Sequence, residues 1–435
     1  MKLSRYSIIL SVVFCLLPVV IYLIFFKEIA LNINYIAYDD LHVLDVINQW
    51  KQHPDWASRF HFLTVGFPEH RIVFTRFNIL LSYWLTGGVK LTNLMLLSNS
   101  LWLGQLVVLY FVFKQTKLSL WYFVPVCWLL LNVQSFENVF WGTSSVGNFG
   151  LLFFTTAAIY CFTQSFKYSF GLSLFFATCA MFSYGNGLAV FVVLGLYLLL
   201  SHQWQRLVVL IVVFGAIMFV YSFTVANASP AALDLTKLSS YPLALSCFFG
   251  FLGGSVNFNP NIYAETTFEL WSSVIWGLGL FATFVFVFKN HLFTLLKNKF
   301  SKPLKLSSTE QFLLLFFLFV CITAVGVVYK RSGADFLPGM FKGRYKMYST
   351  WLVVIVYMAW VNYSQQKLST TKLLVALGLA ISINLFSLFS FLPAAVNNRR
   401  AAVAVEFNSM NNADIIGLRM FDLTQQDFFR IQSVY

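Results

Sequence analysis

SIILSVVFCLLPVVIYLIFFKEIALNINYIAYDD, residues 7–40, opens with twenty residues that carry no charge and closes on two adjacent carboxylates, Asp39 and Asp40. About 20 apolar residues of helix cross a bilayer core, so 7–26 has the length of one crossing. Lys2 and Arg5 stand in front of it as they would in a secretory leader, but no small-x-small cleavage pattern follows. Phe25-Phe26-Lys27-Glu28 follows instead, and the stretch reads as an uncleaved first helix.

Outward from there the chain keeps the same character. It is 59% hydrophobic and 10% charged, with 50 Phe, a balance that excludes a water-soluble globular domain. Ten further runs have spanning character: 92–113, 118–132, 147–163, 168–184, 187–201, 206–225, 269–288, 311–328, 347–363 and 373–392. Lipid offers no partner to backbone N–H and C=O groups, so these runs are expected as helices, and they lack the alternation of a membrane barrel. The expected fold is therefore an all-α polytopic membrane protein of about eleven transmembrane helices.

Lys and Arg set the orientation. With the N-terminus in the cytoplasm, the cytoplasmic segments hold 13 of the 29 basic residues and one of the 16 carboxylates, Glu310. Five of those lysines lie in 289–310. The net charge of +13 is then an orientation signal, and with no soluble basic domain to carry it, nucleic acid is not an expected partner. A short apolar stretch, 242–256, would invert this order if it crossed, so it is expected to be re-entrant or to lie at the surface.

The organisation that results is a first helix (1–26), an outer loop (27–91), a six-span module (92–225), an outer segment (226–268), a four-span module (269–392) and an outer tail (393–435). In the first loop, residues 39–51 show near-helical periodicity with aspartates at the start, where a helix dipole favours them. Pro68-Glu69 reads as the opening of a second helix through Leu85, lying at the outer interface. The six cysteines, all in apolar segments, show neither disulfide nor metal spacing.

Chemistry-bearing residues cluster on the outer side. Like charges side by side raise the pKa of one member, which suits Asp39 or Asp40 to act as a general base; the plainer role is a helix cap. Glu69-His70-Arg71 offers a phosphate or carboxylate clamp, against a helix start with a snorkelling arginine. Lys330-Arg331, Asp335 and Lys342-Gly343-Arg344-Tyr345-Lys346 run against the positive-inside trend, and a phosphate at headgroup level supplies a reason. Non-specific attraction to anionic lipid is the alternative. Glu137-Asn138 with Trp141-Gly142, and Tyr184-Gly185-Asn186-Gly187, are outer turns with the aromatic and amide groups that sugars bind, though an interfacial belt also explains them. The sequence contains no Walker loop, no Rossmann fingerprint and no H-E-x-x-H metal motif.

This pattern resembles the GT-C superfamily of polytopic glycosyltransferases. The resemblance rests on Asp39-Asp40 after the first span, the helical loop ending in Glu69-His70-Arg71, seven spans by residue 225, and the later Gly343-Arg344-Tyr345. In length and compact tail the chain is similar to the phage-type enzymes that glucosylate bacterial O-antigen. The resemblance implies an inverting transfer from a polyprenyl-phosphate-linked sugar to a glycan or lipid-linked acceptor, among membrane lipids. Asp39 or Asp40 would be the base, Arg344 with Lys342 or Lys346 would hold the lipid phosphate, and His70 and Arg71 would serve either partner, with Glu69 and Glu137 as further substrate-binding candidates from the outer clusters. Some members use a divalent cation beside the aspartate, which leaves the cofactor open. The implied location is a bacterial inner membrane, with the active site and C-terminus in the periplasm. Two other functions fit an outer-facing membrane protein. A flippase for lipid-linked sugar would need charges inside its spans, and an O-antigen polymerase or ligase would lean on arginine-rich outer loops.

Overall fold

A computed structural model describes residues 5–31, 40–67, 70–88, 90–222, 232–234, 236–238, 240–262, 264–365 and 368–410. Asp39, Glu69 and the tail 411–435 lie outside the described residues. Among the described residues the chain is helical and has no strand, with an isolated bridge between Phe67 and His70. In chain order the helices are α1 (Arg5–Ile29), α2 (Asp40–Leu44), α3 (Val46–Gln52), α4 (Trp56–Thr64), α5 (Val73–Thr86), α6 (Leu91–Lys114), α7 (Val124–Leu130), α8 (Glu137–Phe140) and α9 (Gly142–Phe162). They continue with α10 (Ser169–Met181), α11 (Leu188–Leu200), α12 (Trp204–Ser222), α13 (Ser240–Gly253), α14 (Thr267–Lys297), α15 (Ser308–Asp335), α16 (Gly343–Tyr363) and α17 (Thr370–Met410).

Seven of these, α1, α6, α9, α12, α14, α15 and α17, are long and apolar enough to cross a bilayer. Their outward faces are apolar too: Ile8, Leu16 and Ile24 on α1, Val208 and Val212 on α12, Leu379 and Phe386 on α17 are all exposed. A water-soluble protein does not show so much contiguous apolar surface; the chain is an integral membrane protein. Pairs of side chain and backbone fix the starts of α14 and α15, where Thr266 with Glu269 and Ser307 with Glu310 each form a reciprocal cap.

The other four expected spans are shorter than these seven or enclosed within the bundle. Residues 118–132 yield α7, seven residues that are all buried. The carbonyls of Trp128 in its last turn and of Leu131 just beyond it accept from Asn384 of α17 at 2.8 and 3.1 Å. Residues 347–363 belong to α16, which is long enough to cross but is enclosed by α7, α14 and α15 rather than presented to lipid. α10 and α11 have 13 residues each, or about 20 Å. They meet at the turn Gly185–Gly187, where a Cβ on Gly187 would stand 2.3 Å from the Ala180 backbone. Only a residue without a side chain lets the two helices close there. α9 and α15, with 21 and 28 residues, run on past this turn and leave a recess above it.

The first loop folds as helices, as its periodicity implies, but with different bounds. The second helix starts at Val73 rather than at Pro68. Phe67 and His70 exchange backbone hydrogen bonds of 2.6 and 3.1 Å, and Ile72 has a non-helical ψ of 44°, so the chain turns before it coils. α4, capped by Asp55 through Ser58 N at 2.8 Å, is an addition to the sequence reading. α5 does not lie flat. Its Phe74 packs on Phe154 of α9 at 4.9 Å and donates its N–H to Phe182 O, so it starts beside the middle of α9 and climbs to the start of α6.

α13, the stretch expected to be re-entrant or surface-lying, runs antiparallel to α14. A Cβ on Gly253 would lie 1.8 Å from Ser273 O, and one on Gly277 2.0 Å from Phe249 O. This close backbone approach is the packing that small residues allow. With 14 residues against 31, α13 lines only part of α14. The first part of the tail expected from 393 is helical, because α17 continues through Pro393 to Met410 on an alanine-rich stretch with high helix propensity.

Candidate functional site

The recess above the α10–α11 turn is a cavity of about 650 Å³. Tyr184, Gly185 and Asn186 lie at the turn, Trp141, Thr143, Ser144 and Asn148 come from the start of α9, and Thr323, Lys330 and Arg331 come from α15. Arg344, Tyr345 and Tyr348 of α16 and His70 also line it, among apolar residues such as Val43 and Ile322. None of the described lining residues is Asp or Glu, so the walls favour an anion or a neutral polar ligand.

Hydrogen bonds hold the walls in place. Asn148 donates to Asn138 Oδ1 at 2.9 Å and to Ser144 Oγ at 3.1 Å, and Ser144 stands 3.5 Å from the Tyr184 hydroxyl. The His70 ring meets the Tyr184 ring edge-on at 4.9 Å. Asn186 donates to the Tyr348 hydroxyl at 2.6 Å, tying the turn to α16. These amide and aromatic groups match what a sugar ring needs, hydrogen bonds to its hydroxyls and a flat apolar face.

Asp40 is fully buried directly behind this surface. Its Oδ1 accepts from the Trp141 indole at 3.0 Å and from the Thr143 hydroxyl. Both donors line the cavity, so the carboxylate sits one residue deep in its wall. Glu137 lies against the start of α16, where a Cβ on Gly343 would be 2.9 Å from its Oε2. Burial pushes its carboxyl up from the usual range, while Arg344, Lys346 and Lys342 pull it back. Arg344 faces the cavity over the Tyr345 ring at 5.4 Å. Burial works against its charge, but Tyr345, Tyr184 and Glu137 outweigh that and raise it above the ordinary value.

Three of the basic residues expected on substrate point elsewhere. Lys346 is buried, and its ammonium donates to Asn257 O at 2.8 Å, Asn257 Oδ1 at 2.9 Å and Asn259 O at 3.1 Å. All three of its protons are directed into the 257–259 loop. Lys342 pairs with Asp335 at 2.7 Å. Arg71 donates to Thr64 O at 2.7 Å and to Tyr221 O, and lies 4.5 Å over the Tyr221 ring, so it fastens the first loop to α12. The cavity instead takes Lys330 and Arg331, which the sequence offered as part of the same outer cluster.

Among the described residues, then, His70 and Arg344 meet in one cavity with Asp40 and Glu137 behind its wall. Thr143, Ser144, Asn148 and Tyr348 were missed. A span read as starting at 147 or 347 hides polar residues that sit one turn earlier or on the enclosed face. The signal was the spacing of Ser144 and Asn148, four apart and hence on one helix face. Among the described residues no three His, Cys, Asp or Glu side chains converge, so the described part of the site does not by itself cage a divalent cation. No protein-family model matches the chain, no curated protein matches it, and no solved structure matches it.

Proposed function

We propose that the chain is a GT-C-type glycosyltransferase that moves a sugar from a polyprenyl-phosphate carrier to an extracytoplasmic glycan or lipid-linked acceptor. In this reading about eleven helices cross a bacterial inner membrane, the N-terminus is cytoplasmic and the cavity faces the periplasm. The observation that carries it is a cavity among apolar helices with cationic and aromatic walls, free of carboxylates among its described lining residues, set against a buried aspartate. The cations suit a lipid-linked phosphate and the amides and rings suit its sugar.

Transfer proceeds by attack of an acceptor hydroxyl on the anomeric carbon. The new C–O bond forms as the bond from that carbon to the phosphate oxygen breaks, and the carrier leaves as polyprenyl phosphate. An aspartate takes the hydroxyl proton. Trp141 and Thr143 both donate to Asp40 Oδ1, which suits Asp40 to hold the wall and the loop in place and leaves Asp39 as the first choice of base. Arg344, with Lys330 and Arg331, meets the charge that grows on the leaving phosphate, and such preorganised donors are commonly the largest catalytic contribution.

The test is sugar transfer from polyprenyl-phosphate donors in membranes carrying the wild type, Asp39→Asn, Asp40→Asn or Arg344→Gln at matched expression. Loss of transfer in Asp39→Asn with donor binding intact supports the assignment, and loss in Asp40→Asn alone moves the base by one residue. Full transfer in both aspartate variants overturns the acid–base reading.

A further inference from the structure

Away from the cavity, the first loop carries a surface that the transfer reaction does not use. α4 and α5 form an antiparallel hairpin. Arg71 donates to Thr64 O, Arg76 donates to Val65 O, and at the other end Trp50 joins Trp56 and Trp84 at ring distances of 6.2 and 5.4 Å. The closed end lies beside the middle of α9, through Phe74 on Phe154, and the open end lies near the start of α6.

The outward face is graded along this hairpin. Toward the closed end and middle it exposes Phe60, Phe77 and Leu81, all apolar. Toward the open end the same stripe continues to Leu85, and Trp56 and Trp84 are exposed beside it, Leu85 and Trp56 each at 75% of their surface. There Arg59 lies over the Trp50 and Trp56 rings at 5.0 and 5.6 Å, and Lys51 over the Tyr83 ring at 4.7 Å. Arg59 Nε is held by His53 O at 2.9 Å, which turns the guanidinium toward the rings. Among the described residues neither Lys51 nor Arg59 has a carboxylate within ion-pair distance.

Apolar side chains below, indoles and cations above, is the order of a bilayer from tails to headgroups. We propose that the α4–α5 hairpin is a wedge in the leaflet at the cavity end, and that Arg59 and Lys51, framed by Trp50, Trp56, Trp84 and Tyr83, hold the phosphate of an anionic bilayer phospholipid. The partner is anionic because the two cations lack acidic partners while the indoles frame a site at headgroup level. The surface stands apart from the transfer reading and holds whichever reaction the cavity performs.

The experiment reconstitutes the full chain in nanodiscs of phosphatidylcholine with a quarter phosphatidylglycerol, then counts co-retained lipid by native mass spectrometry. The wild type should retain phosphatidylglycerol over phosphatidylcholine. Arg59→Gln should weaken that preference about fivefold and Arg59→Gln/Lys51→Gln by about fivefold again, as expected for roughly one surface charge each. Equal retention of both lipids by the wild type, or an unchanged preference in the double variant, overturns the headgroup site. Insertion is read separately in liposomes with a charged maleimide. Phe60→Cys should label no more than the parent protein, whereas Gln52→Cys, at an exposed position, should label readily. Equal labelling at both positions overturns the wedge.

Discussion

The two sides of α16 differ in almost every respect that matters. Behind it, α13 and α14 press backbone against backbone at Gly253 and Gly277, and Lys346 is enclosed by Asn257 and Asn259. In front of it, Arg344 faces the cavity, and across that space a Cβ on Gly326 would meet nothing within 4 Å. Three glycines and two cations thus divide between a closed side and an open side a short distance apart. The back side is built for stability and the front side is left open for a ligand.

Substitutions can break or sharpen this contrast. The largest effect is expected from Gly253→Val, which drives a side chain into Ser273 O and should remove more than ~3 kcal/mol of stability, seen as loss of folded protein in detergent. Folded protein at wild-type levels would mean that the α13–α14 contact is loose. Lys346→Met comes next. It strips a donor from two buried oxygens of Asn257 and a part-buried one of Asn259 and should cost about 3 kcal/mol, read as a fall in melting temperature. Arg344→Gln should melt like the wild type yet lose about 10²- to 10³-fold in transfer rate. If its stability falls as far as that of Lys346→Met, the two sides are not functionally distinct.

Gly326→Leu sharpens the contrast further. Filling open space should leave the melting temperature level or slightly higher, because glycine is a poor helix former by about 1 kcal/mol. Donor binding should nonetheless fall by about tenfold or more, because the side chain occupies the cavity. The smallest effect concerns pH. Burial pushes Glu265 up to about 7 from an ordinary value of 4.5, against a hydrogen bond from Asn257. The folded state then keeps a proton that the unfolded chain releases. The stability this contributes is complete below about pH 4.5 and is lost as pH rises through 7. Lys346, held down to about 7 by burial, acts with the opposite sign above that pH, so melting temperature should fall between pH 5 and 7 in the wild type and fall less in Glu265→Gln.

Much of the fold was legible because long apolar runs have no other stable form in lipid, and α1, α6, α12 and α15 lie close to where the runs lie. The short helices were harder. α10 and α11 look like spans by composition, and only their length of 13 residues, with a glycine turn between, separates them from full crossings. In the site, a helix read as starting at 347 gives no way to tell Arg344 from Lys346. With α16 starting at Gly343, residues two apart point roughly 200° away from each other, so one facing the cavity implies the other facing the packed side. Asp40 was visible as an acid in the right place, but its partners Trp141 and Thr143 come from a hundred residues away, and no local pattern reports such a contact.

The α10–α11 turn has one more consequence. Because the recess exists only where that hairpin stops, the hairpin acts as a depth gauge. One added helical turn in each arm would raise the Tyr184–Asn186 ledge by about 5.4 Å toward the opening. Chains that share this scaffold could therefore change the size of molecule they admit by altering the length of a single loop-linked pair, with the surrounding walls untouched.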